Sequence, residues 1–241
     1  MTKQKLFFPP NQVFCHLIFK IKMNGHRIFP SKNIRYLGIY LDETLNGGFH
    51  CLTLAKKLKR ANGMLCKARH YINKDDLINL YYAIFSSHLI YGCQIWGQKL
   101  NSFNKRISKL QDRALRIITF SDFHAECNPL YADLNIIKLA DQVTLQNCLF
   151  VHDTLKKVSP ICFDDYFTLT KTIHSLNTKN SNLGCLFVTS NNTVTYGLHS
   201  ITSKCISDWN KITKKFNLDL LTIKRYKLKY NIKLFFNQCY G

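Results

Sequence analysis

The first forty residues alternate apolar and polar or basic positions in a way that is typical of β-strands. Leu17–Lys22 alternates in this manner, Asn24-Gly25 is the strongest short signal for a hairpin turn, and His26–Phe29 returns. Turn-forming residues follow, and Ile34–Leu41 is a third apolar-rich strand that Gly38 interrupts. The pattern therefore predicts a small N-terminal unit of strands.

From Phe49 the apolar period changes to that of a helix. One stripe of apolar residues recurs at spacings of three and four: Leu54, Leu58, Ala61, Leu65, Ala68 and Ile72. The opposite side carries basic residues, Lys56, Lys59, Arg60 and Lys67. This segment is predicted to be an amphipathic helix with a basic, solvent-facing back.

Three more helices are predicted before residue 158. Lys74–Trp96 is apolar on most sides and is expected to be the buried member of a bundle. Phe103–Phe120 is strongly amphipathic, and Asn135–Lys157 follows a turn at Asn128-Pro129. The apolar face of the middle helix contains Phe103, Ile107, Leu110, Ala114, Ile117 and Ile118, and its basic face contains Lys105, Arg106, Lys109, Arg113 and Arg116.

The C-terminal third is less regular. Ser159–Tyr196 is rich in Asn, Thr and Ser and is predicted to form long loops, with one short strand near Thr193–Tyr196. His199–Phe216 is predicted to be a helix with Trp209 packed, and we favour a helix for Leu220–Phe236. The fold class is therefore α+β, mostly α, divided into strands (1–48), a helical bundle (49–157) and a loop-rich region with basic helices (158–241).

The net charge of the chain favours some classes of binding partner over others. The 241 residues contain 34 Lys and Arg against 14 Asp and Glu, a formal charge of +20. Such an excess favours a polyanionic partner, nucleic acid or an anionic membrane surface. No apolar stretch approaches the length of a membrane span, and the N-terminus lacks the features of a secretory signal. We therefore expect an intracellular, nuclear or cytoplasmic protein that is not secreted and has no membrane partner.

The ten cysteines do not form a metal motif. No two are close enough for the paired spacing of a zinc knuckle. The nearest candidate is Cys148 with His152, one helical turn apart, and two ligands are too few for a structural site. We expect no metal and ten unpaired thiols that are buried or half-buried.

Several motifs in one order resemble a known family. Ile34–Asp42 reads I-R-Y-L-G-I-Y-L-D, and Leu65–Arg69 ends the basic helix that follows. The segment Leu110–Ile118 reads L-Q-D-R-A-L-R-I-I. Further motif positions are Leu77, Leu80, Tyr81, Phe85, Ser87, His88, Leu89, Tyr91, Gly92, Ile95, Trp96 and Gly97, then Asn128-Pro129-Leu130, Leu134-Asn135-Ile136-Ile137 and Asp208-Trp209-Asn210. Together these segments resemble the reverse transcriptases of non-LTR (LINE, jockey-like) retrotransposons.

The resemblance covers residues 17–235 and implies a position within a larger enzyme. In the family the Y-L-G turn is the primer grip, which holds the end of the growing strand, and the following helices form the thumb beside the template-primer duplex. Tyr36, Leu37 and Gly38 correspond to that grip. The alternative is that Tyr36 and Leu37 are ordinary strand core.

The resemblance also implies that the polymerase carboxylates are missing from this chain. Nucleotidyl transfer needs carboxylates that hold two Mg²⁺ ions, and the family places them before Y-L-G. The 33 residues before Ile34 contain no Asp or Glu. Phe163-Asp164-Asp165-Tyr166 is similar to the catalytic aromatic-x-Asp-Asp motif, but its spacing and its position after Y-L-G are wrong. We expect no cofactor in this chain, with Mg²⁺ needed only by the complete polymerase, and no activity of the chain alone.

Two functions of different classes follow. The first is a partial reverse transcriptase whose grip and basic helix faces bind an RNA–DNA or DNA duplex without reading its sequence. The second is a domesticated basic protein that binds nucleic acid or another partner and has no enzymatic role. An enzyme with its own site has no supporting cluster of residues, and a small-molecule substrate is not expected. The oligomeric state has no sequence signal.

Overall fold

The structure is a computed structural model, and it describes residues 5–6, 22–27, 29–43, 47–98, 102–173, 183–187 and 200–241. Short strands are confined to the N-terminal part, and helices make up most of the remainder. The α+β, mostly α class is therefore confirmed. Within these ranges, no helix is both long enough and apolar enough to cross a membrane.

The first strands form two small pairs. β1 (Lys5–Leu6) pairs in parallel with β4 (Phe29–Pro30). β2 (Lys22–Met23) pairs antiparallel with β3 (His26–Arg27), and the linking residues Asn24 and Gly25 have φ of 49° and 78°. Positive φ at both central residues is the pattern of the hairpin turn that Asn-Gly predicts, which confirms this hairpin. The preceding alternation over 17–21 lies outside the described residues.

The expected third strand over Ile34–Leu41 is instead a second hairpin. β5 (Asn33–Tyr36) and β6 (Ile39–Asp42) pair antiparallel, with Tyr36 opposite Ile39. Leu37 and Gly38, at φ of 44° and 83°, reverse the chain between them. The prediction of one strand was wrong because a two-residue turn preserves the alternation on both sides of it, so apolar periodicity alone does not reveal the reversal.

The two amphipathic helices form as predicted and pack against each other. α1 (Gly48–Ala68) buries Leu54, Leu58, Ala61 and Leu65, and α5 (Ser102–Ile118) buries its apolar face in the same way. Asn62 of α1 donates a hydrogen bond from Nδ2 to the carbonyl oxygen of Leu110 at 2.9 Å. A buried amide thus joins the centres of the two helices.

The predicted single helix over Lys74–Trp96 is broken. Tyr91 is extended, with ψ of 114°, and Gly92 is left-handed, with φ of 59°. Exposed Tyr82, Tyr91 and Ile95 also show that this region is not buried on most sides, so that expectation was wrong as well. The segments are α2 (Lys74–Tyr81), a π-helical turn (Tyr82–Ser86), α3 (Ser87–Ile90) and α4 (Cys93–Trp96).

The fourth predicted helix also begins elsewhere. The expected turn at Asn128-Pro129 is the start of a short helix, α6 (Asn128–Asp133), since proline fits the first turn of a helix without losing a hydrogen bond. α7 (Leu139–Leu155) follows, so the helix expected from Asn135 starts four residues later.

The C-terminal third contains more helix than loop within the described residues. It begins with a 3₁₀ helix (Ile161–Tyr166) and α8 (Thr170–Ile173). Leu169, just before α8, forms an isolated antiparallel bridge with Leu186. α9 (Ile201–Phe216), a 3₁₀ turn (Leu220–Thr222) and α10 (Arg225–Gln238) follow, which confirms both predicted C-terminal helices. The strand expected near Thr193–Tyr196 lies outside the described residues.

One hydrophobic core joins the helices before and after residue 157. Trp96 of α4 and Trp209 of α9 are both fully buried in it, which confirms the packed position of Trp209. α7 lies between the two groups and contacts α4, α9 and α10. Apolar side chains from α1 through α10 therefore form a continuous cluster across the boundary suggested by the sequence.

The cysteines are less uniformly buried than expected. Nine lie within the described residues and all are unpaired. Cys66, Cys162 and Cys239 are exposed, so the expectation of burial was wrong for these three. Each is on the outer face of a helix or on a surface turn, where the helical period carries a side chain away from the core.

Candidate nucleic-acid interface

The Y-L-G turn lies at the exposed tip of the β5–β6 hairpin. Tyr36 is 65% exposed and Leu37 is 73% exposed, so neither side chain is strand core. Leu37 also adopts a left-handed backbone, which costs a residue with a Cβ roughly 1–2 kcal/mol. The fold therefore holds an apolar side chain outward in a conformation that needs support.

Tyr91, at the break between α3 and α4, provides that support. Its hydroxyl donates a hydrogen bond to the carbonyl oxygen of Leu37. Its ring lies against Gly38, where an added Cβ would be 3.5 Å from the Tyr91 Cε1. The turn is thus held from one side by a tyrosine 54 residues away in the chain.

Gly92 and Tyr91 together form the surface on which the β5–β6 hairpin packs, here called the hairpin seat. The left-handed backbone of Gly92 lies so close to buried Ile39 of β6 that an added Cβ would be 2.4 Å from the Ile39 Cδ1. Trp96 stabilises the break, since its Nε1 donates to the carbonyl oxygen of Tyr91 at 3.0 Å. The Y-L-G and Y-G motifs therefore contact each other, which the sequence analysis missed. The available signal was a glycine inside a predicted helix.

The hairpin is also joined to the start of α1. The backbone N–H of Tyr40 donates to Nδ1 of His50 at 3.3 Å, and that of Phe49 donates to Oδ2 of Asp42 at 3.4 Å. Burial, and to a smaller extent the nearby Lys57 ammonium, lowers the pKa of His50 from 6.5 to about 4. A neutral imidazole is the form that can accept the Tyr40 hydrogen bond.

The predicted basic residues are exposed with one exception. On α1 the exposed set is Lys56, Lys59, Arg60 and Lys67, and on α5 it is Lys105, Arg106, Lys109 and Arg113. Arg116 is half-buried, and its Nε donates to the carbonyl oxygen of Ala125 at 2.9 Å. Arg116 thus ties the end of α5 to the following loop.

α1 and α5 run side by side in the same direction. Contacts occur in the same order along both helices, from the Cys51–Asn104 pair to the Arg69 guanidinium, which lies 4.6 Å from the ring centre of Phe120. Lys59 is one helical turn from Asn62, which joins the helices at their centre. On α5, Arg106 and Arg113 are each one helical turn from Leu110, the residue that Asn62 of α1 contacts. Lys59, Arg106 and Arg113 therefore border the same helix–helix seam.

Other motif residues stabilise the fold. Gln111 donates from Nε2 to the Tyr81 hydroxyl at 3.1 Å and to the Ile137 carbonyl at 3.0 Å, and its Oε1 accepts from the Leu139 N–H at 3.1 Å. Asp112 accepts a hydrogen bond from the Tyr131 hydroxyl at 2.8 Å. The L-Q-D part of this motif thus connects α5 with α2, α6 and α7.

The Asp208-Trp209-Asn210 motif does the same for the C-terminal part. Asp208 accepts from Asn147 Nδ2 at 2.7 Å, and Trp209 donates from Nε1 to the Gly184 carbonyl at 3.0 Å. Asn210 pairs with both backbone groups of Leu186, at 2.7 and 2.9 Å. Burial raises the pKa of Asp208, and the Asn147 hydrogen bond opposes that shift by stabilising the carboxylate.

The described residues contain no group of three or more His, Cys, Asp and Glu side chains that could hold a metal ion. Asp164 and Asp165 are exposed on the 3₁₀ helix. His152 uses Nε2 to contact the carbonyl oxygen of Ile223 at 3.0 Å, and its neighbour Cys148 is fully buried. The hairpin and the two helix faces present aromatic, apolar and cationic groups.

The chain is similar to RNA-directed DNA polymerases of Drosophila mobile elements. It is 27% identical over 126 residues to a probable RNA-directed DNA polymerase from transposon X-element of Drosophila melanogaster. It is 29% identical over 130 residues to that from transposon BS of the same species. It is 24% identical over 127 residues to the enzyme from mobile element jockey of Drosophila funebris. These relatives confirm the resemblance that the motifs indicated.

The similarity covers about half of this chain, 51–52% in these three alignments, and only 14% of the length of each relative. The chain thus corresponds to a small part of each curated relative. No protein-family model matches the chain. No solved structure matches it.

Proposed function

We propose that this chain is part of an RNA-directed DNA polymerase of a non-LTR mobile element, the part that follows the catalytic carboxylates. Its role is to bind the template-primer duplex through the sugar-phosphate backbone without reading sequence. The chain alone does not polymerise, because it lacks acidic residues before Y-L-G. Mg²⁺ is then required only by the complete polymerase. The domesticated alternative is favoured by none of the relatives, all of which are RNA-directed DNA polymerases.

The supported, exposed turn is the observation that carries this proposal. A left-handed Leu37 and an exposed Tyr36 are costly for stability alone, and such conformations concentrate where a chain contacts a ligand. Gly38 permits the left-handed backbone that keeps the turn tight, and the exposed Tyr36 ring can pack against a sugar or a base. We assign the turn to the end of the primer strand, as the resemblance of its Y-L-G motif implies.

The basic faces of α1 and α5 supply the attraction for phosphate. α1 contains no acidic residue, and the one carboxylate of α5, Asp112, is engaged by Tyr131. Lys59, Arg106 and Arg113 border one seam, so the charges of the two helices add over a single surface there. Each phosphate neutralised on a duplex contributes about −0.9 to the slope of log affinity against log salt.

The test is a salt titration of binding to an RNA–DNA hybrid duplex. The triple variant Lys105→Gln, Lys109→Gln, Arg113→Gln is expected to bind more weakly and to reduce the salt slope by about 2–3, because each residue meets a phosphate. Hybrids of unrelated sequence are expected to bind with equal affinity. Arg116 is left unchanged because it stabilises the loop at Ala125.

A matched control removes the same charge from other exposed lysines. Lys156→Gln, Lys171→Gln, Lys214→Gln together are expected to leave the salt slope within about 1 of the wild type, since only the general field of the protein changes. An equal reduction of the slope in both triple variants would contradict a binding face on α5.

A further inference from the structure

The C-terminal helix α10 carries an exposed stripe of aromatic and basic residues outside the proposed duplex interface. Tyr226 and Tyr230 are 67% and 62% exposed, and half-buried Lys233 follows at the next helical spacing. Neither tyrosine side chain has a hydrogen bond or a ring contact with another described residue. The two rings lie about 6 Å apart along the helix axis, so both can reach one extended ligand.

The surrounding charge has one sign. Residues 220–241 contain no acidic residue and five basic ones, Lys224, Arg225, Lys227, Lys229 and Lys233. Arg225 pairs with Asp153 at 2.9 Å. Lys229 and Lys233 have no carboxylate within salt-bridge distance among the described residues. A polyanion is the partner that this surface favours.

The stripe continues onto the neighbouring π-helical turn. The Lys233 ammonium lies 6.0 Å from the ring centre of Tyr82, which is itself exposed. Lys229 is close enough to Lys233 to lower its pKa, in addition to the larger effect of burial. Three tyrosines and two lysines thus define one surface, which we call the tyrosine stripe: Tyr82, Tyr226, Lys229, Tyr230 and Lys233.

Leu228, Ile232 and Phe236 on another face of α10 are buried in the hydrophobic core. An amphipathic helix that lies on a membrane inserts its apolar face, whereas these three apolar side chains of α10 already pack inside the protein. The core contact also holds the tyrosine stripe on a rigid element, which lowers the entropic cost of binding.

We propose that the tyrosine stripe binds single-stranded nucleic acid, with bases stacked on Tyr226 and Tyr230 and phosphates paired with Lys229 and Lys233. A duplex hides the faces of its bases in the helical stack, whereas a single strand exposes them to aromatic rings. Every base has such a face, so binding tolerates any sequence. The site is additional to the duplex surface of α1 and α5 and does not require it.

The full chain is tested with a fluorescent 20-nucleotide oligothymidylate and, in parallel, with an RNA–DNA hybrid duplex. Replacing both tyrosines, Tyr226→Ala with Tyr230→Ala, is expected to weaken oligothymidylate binding by tenfold or more, about what the loss of stacked bases costs. Tyr226→Phe with Tyr230→Phe is expected to retain affinity within about twofold, because the ring stacks without the hydroxyl. Hybrid affinity is expected to be unchanged in both.

Charge and position have their own controls. Lys229→Gln with Lys233→Gln is expected to reduce the salt slope for the single strand by about 0.7 per lysine. Tyr71→Ala removes a tyrosine that is even more exposed, at 88%, but lies in the turn after α1, and it is expected to leave both affinities unchanged. Thermal unfolding of each variant verifies that the fold is retained.

Several results would overturn the proposal. The first is that the wild type does not bind oligothymidylate at all, and the second is that the double alanine variant binds it with wild-type affinity. The third is that the double phenylalanine variant loses as much oligothymidylate affinity as the alanine variant. A parallel fall in hybrid affinity would also overturn it, because the stripe would then belong to the duplex surface. Tyrosine-dependent binding to phosphatidylserine vesicles without oligothymidylate binding would assign the surface to a membrane. Failure of the α5 triple variant to alter hybrid binding would contradict the proposed function and leave this site intact.

Discussion

At the scale of single residues, the motifs of this chain divide by exposure into two kinds. Gln111, Asp208 and Trp209 have their polar groups bonded to other parts of the protein, so they stabilise the fold. Tyr36 and Leu37 point outward, and Arg113 is exposed one turn from the α1–α5 contact. Motif membership alone does not distinguish these roles, because a residue can recur in a family for packing as well as for binding.

Buried His50 is expected to make the stability of the folded protein depend on pH, because it accepts a hydrogen bond from the hairpin. Its pKa in the folded protein is about 4, well below the 6.5 of an ordinary histidine, so the folded state resists protonation. The contribution of His50 to stability is complete above pH 6.5 and is lost as the pH falls towards 4, because the unfolded chain binds the proton first. Protonation also removes the acceptor for the Tyr40 N–H.

We therefore predict that the free energy of unfolding falls by about 2 kcal/mol between pH 7 and pH 5 through His50. Urea unfolding at the two pH values measures it. His50→Gln is expected to flatten this dependence by that amount, and the exposed His70→Gln is expected to retain it. An unchanged dependence in His50→Gln would show that folding does not lower the pKa of this histidine.

At the scale of elements, the important feature is the break between α3 and α4. Continuous helix would carry Tyr91 and Gly92 away from the hairpin, whereas the break presents the Tyr91 hydroxyl to Leu37 and the Gly92 backbone to Ile39. The β5–β6 hairpin thus rests on a helix that has been interrupted to receive it. The seat requires glycine because of both its left-handed backbone and its close contact.

Two glycine substitutions are predicted to change stability in opposite directions. Gly92→Ala is expected to destabilise the protein by about 1–2 kcal/mol for the left-handed backbone, with a further cost for displacing Ile39. Gly63→Ala, in the exposed middle of α1 with nothing near its Cβ position, is expected to stabilise by about 0.5–1 kcal/mol. Urea unfolding of each variant measures the difference. A stabilising Gly92→Ala would contradict the proposed seat.

At the scale of the whole molecule, α7 connects the helices that precede it with those that follow it. Its Asn147 bonds both Gln98 before it and Asp208 after it, and His152 contacts the backbone of Ile223. Buried residues of α7 contribute to a core that α9 and α10 complete. Removal of the C-terminal region would expose this surface of α7 to water.

We predict that a chain ending at residue 157 does not unfold cooperatively and binds a hydrophobic dye such as ANS. The lost contacts of α7 include apolar ones with α9 and α10, and exposure of these side chains favours a loosely packed state. Circular dichroism in a thermal scan, with dye fluorescence, makes the comparison with the full chain. A chain lacking only exposed Gly241 is the control and is expected to behave as the wild type. The same sharp transition in the chain ending at 157 would support two independent units.

The sequence was sufficient for the helices with strong periodicity. The stripe of α1, the two faces of α5 and the basic side chains on them all follow from spacing, because a helix places residues three and four apart on one face. The order of the motifs along the chain was also enough to indicate the relationship to RNA-directed DNA polymerases. For the candidate site, the exposed members of the basic set were predicted with the exception of half-buried Arg116.

Other features depended on contacts between distant parts of the chain. The reversal at Leu37-Gly38 and the break at Tyr91-Gly92 look like a strand and a helix when each is considered alone, and each conformation is stabilised by the other segment. The roles of Gln111 and Trp209 likewise depend on partners 25–30 residues away. Local pattern therefore determined the amphipathic helices and the placement of charge, because these depend only on backbone period. Tertiary structure alone decided which residues support the hairpin, since positive φ and buried polar groups are stable only where long-range contacts compensate for their cost.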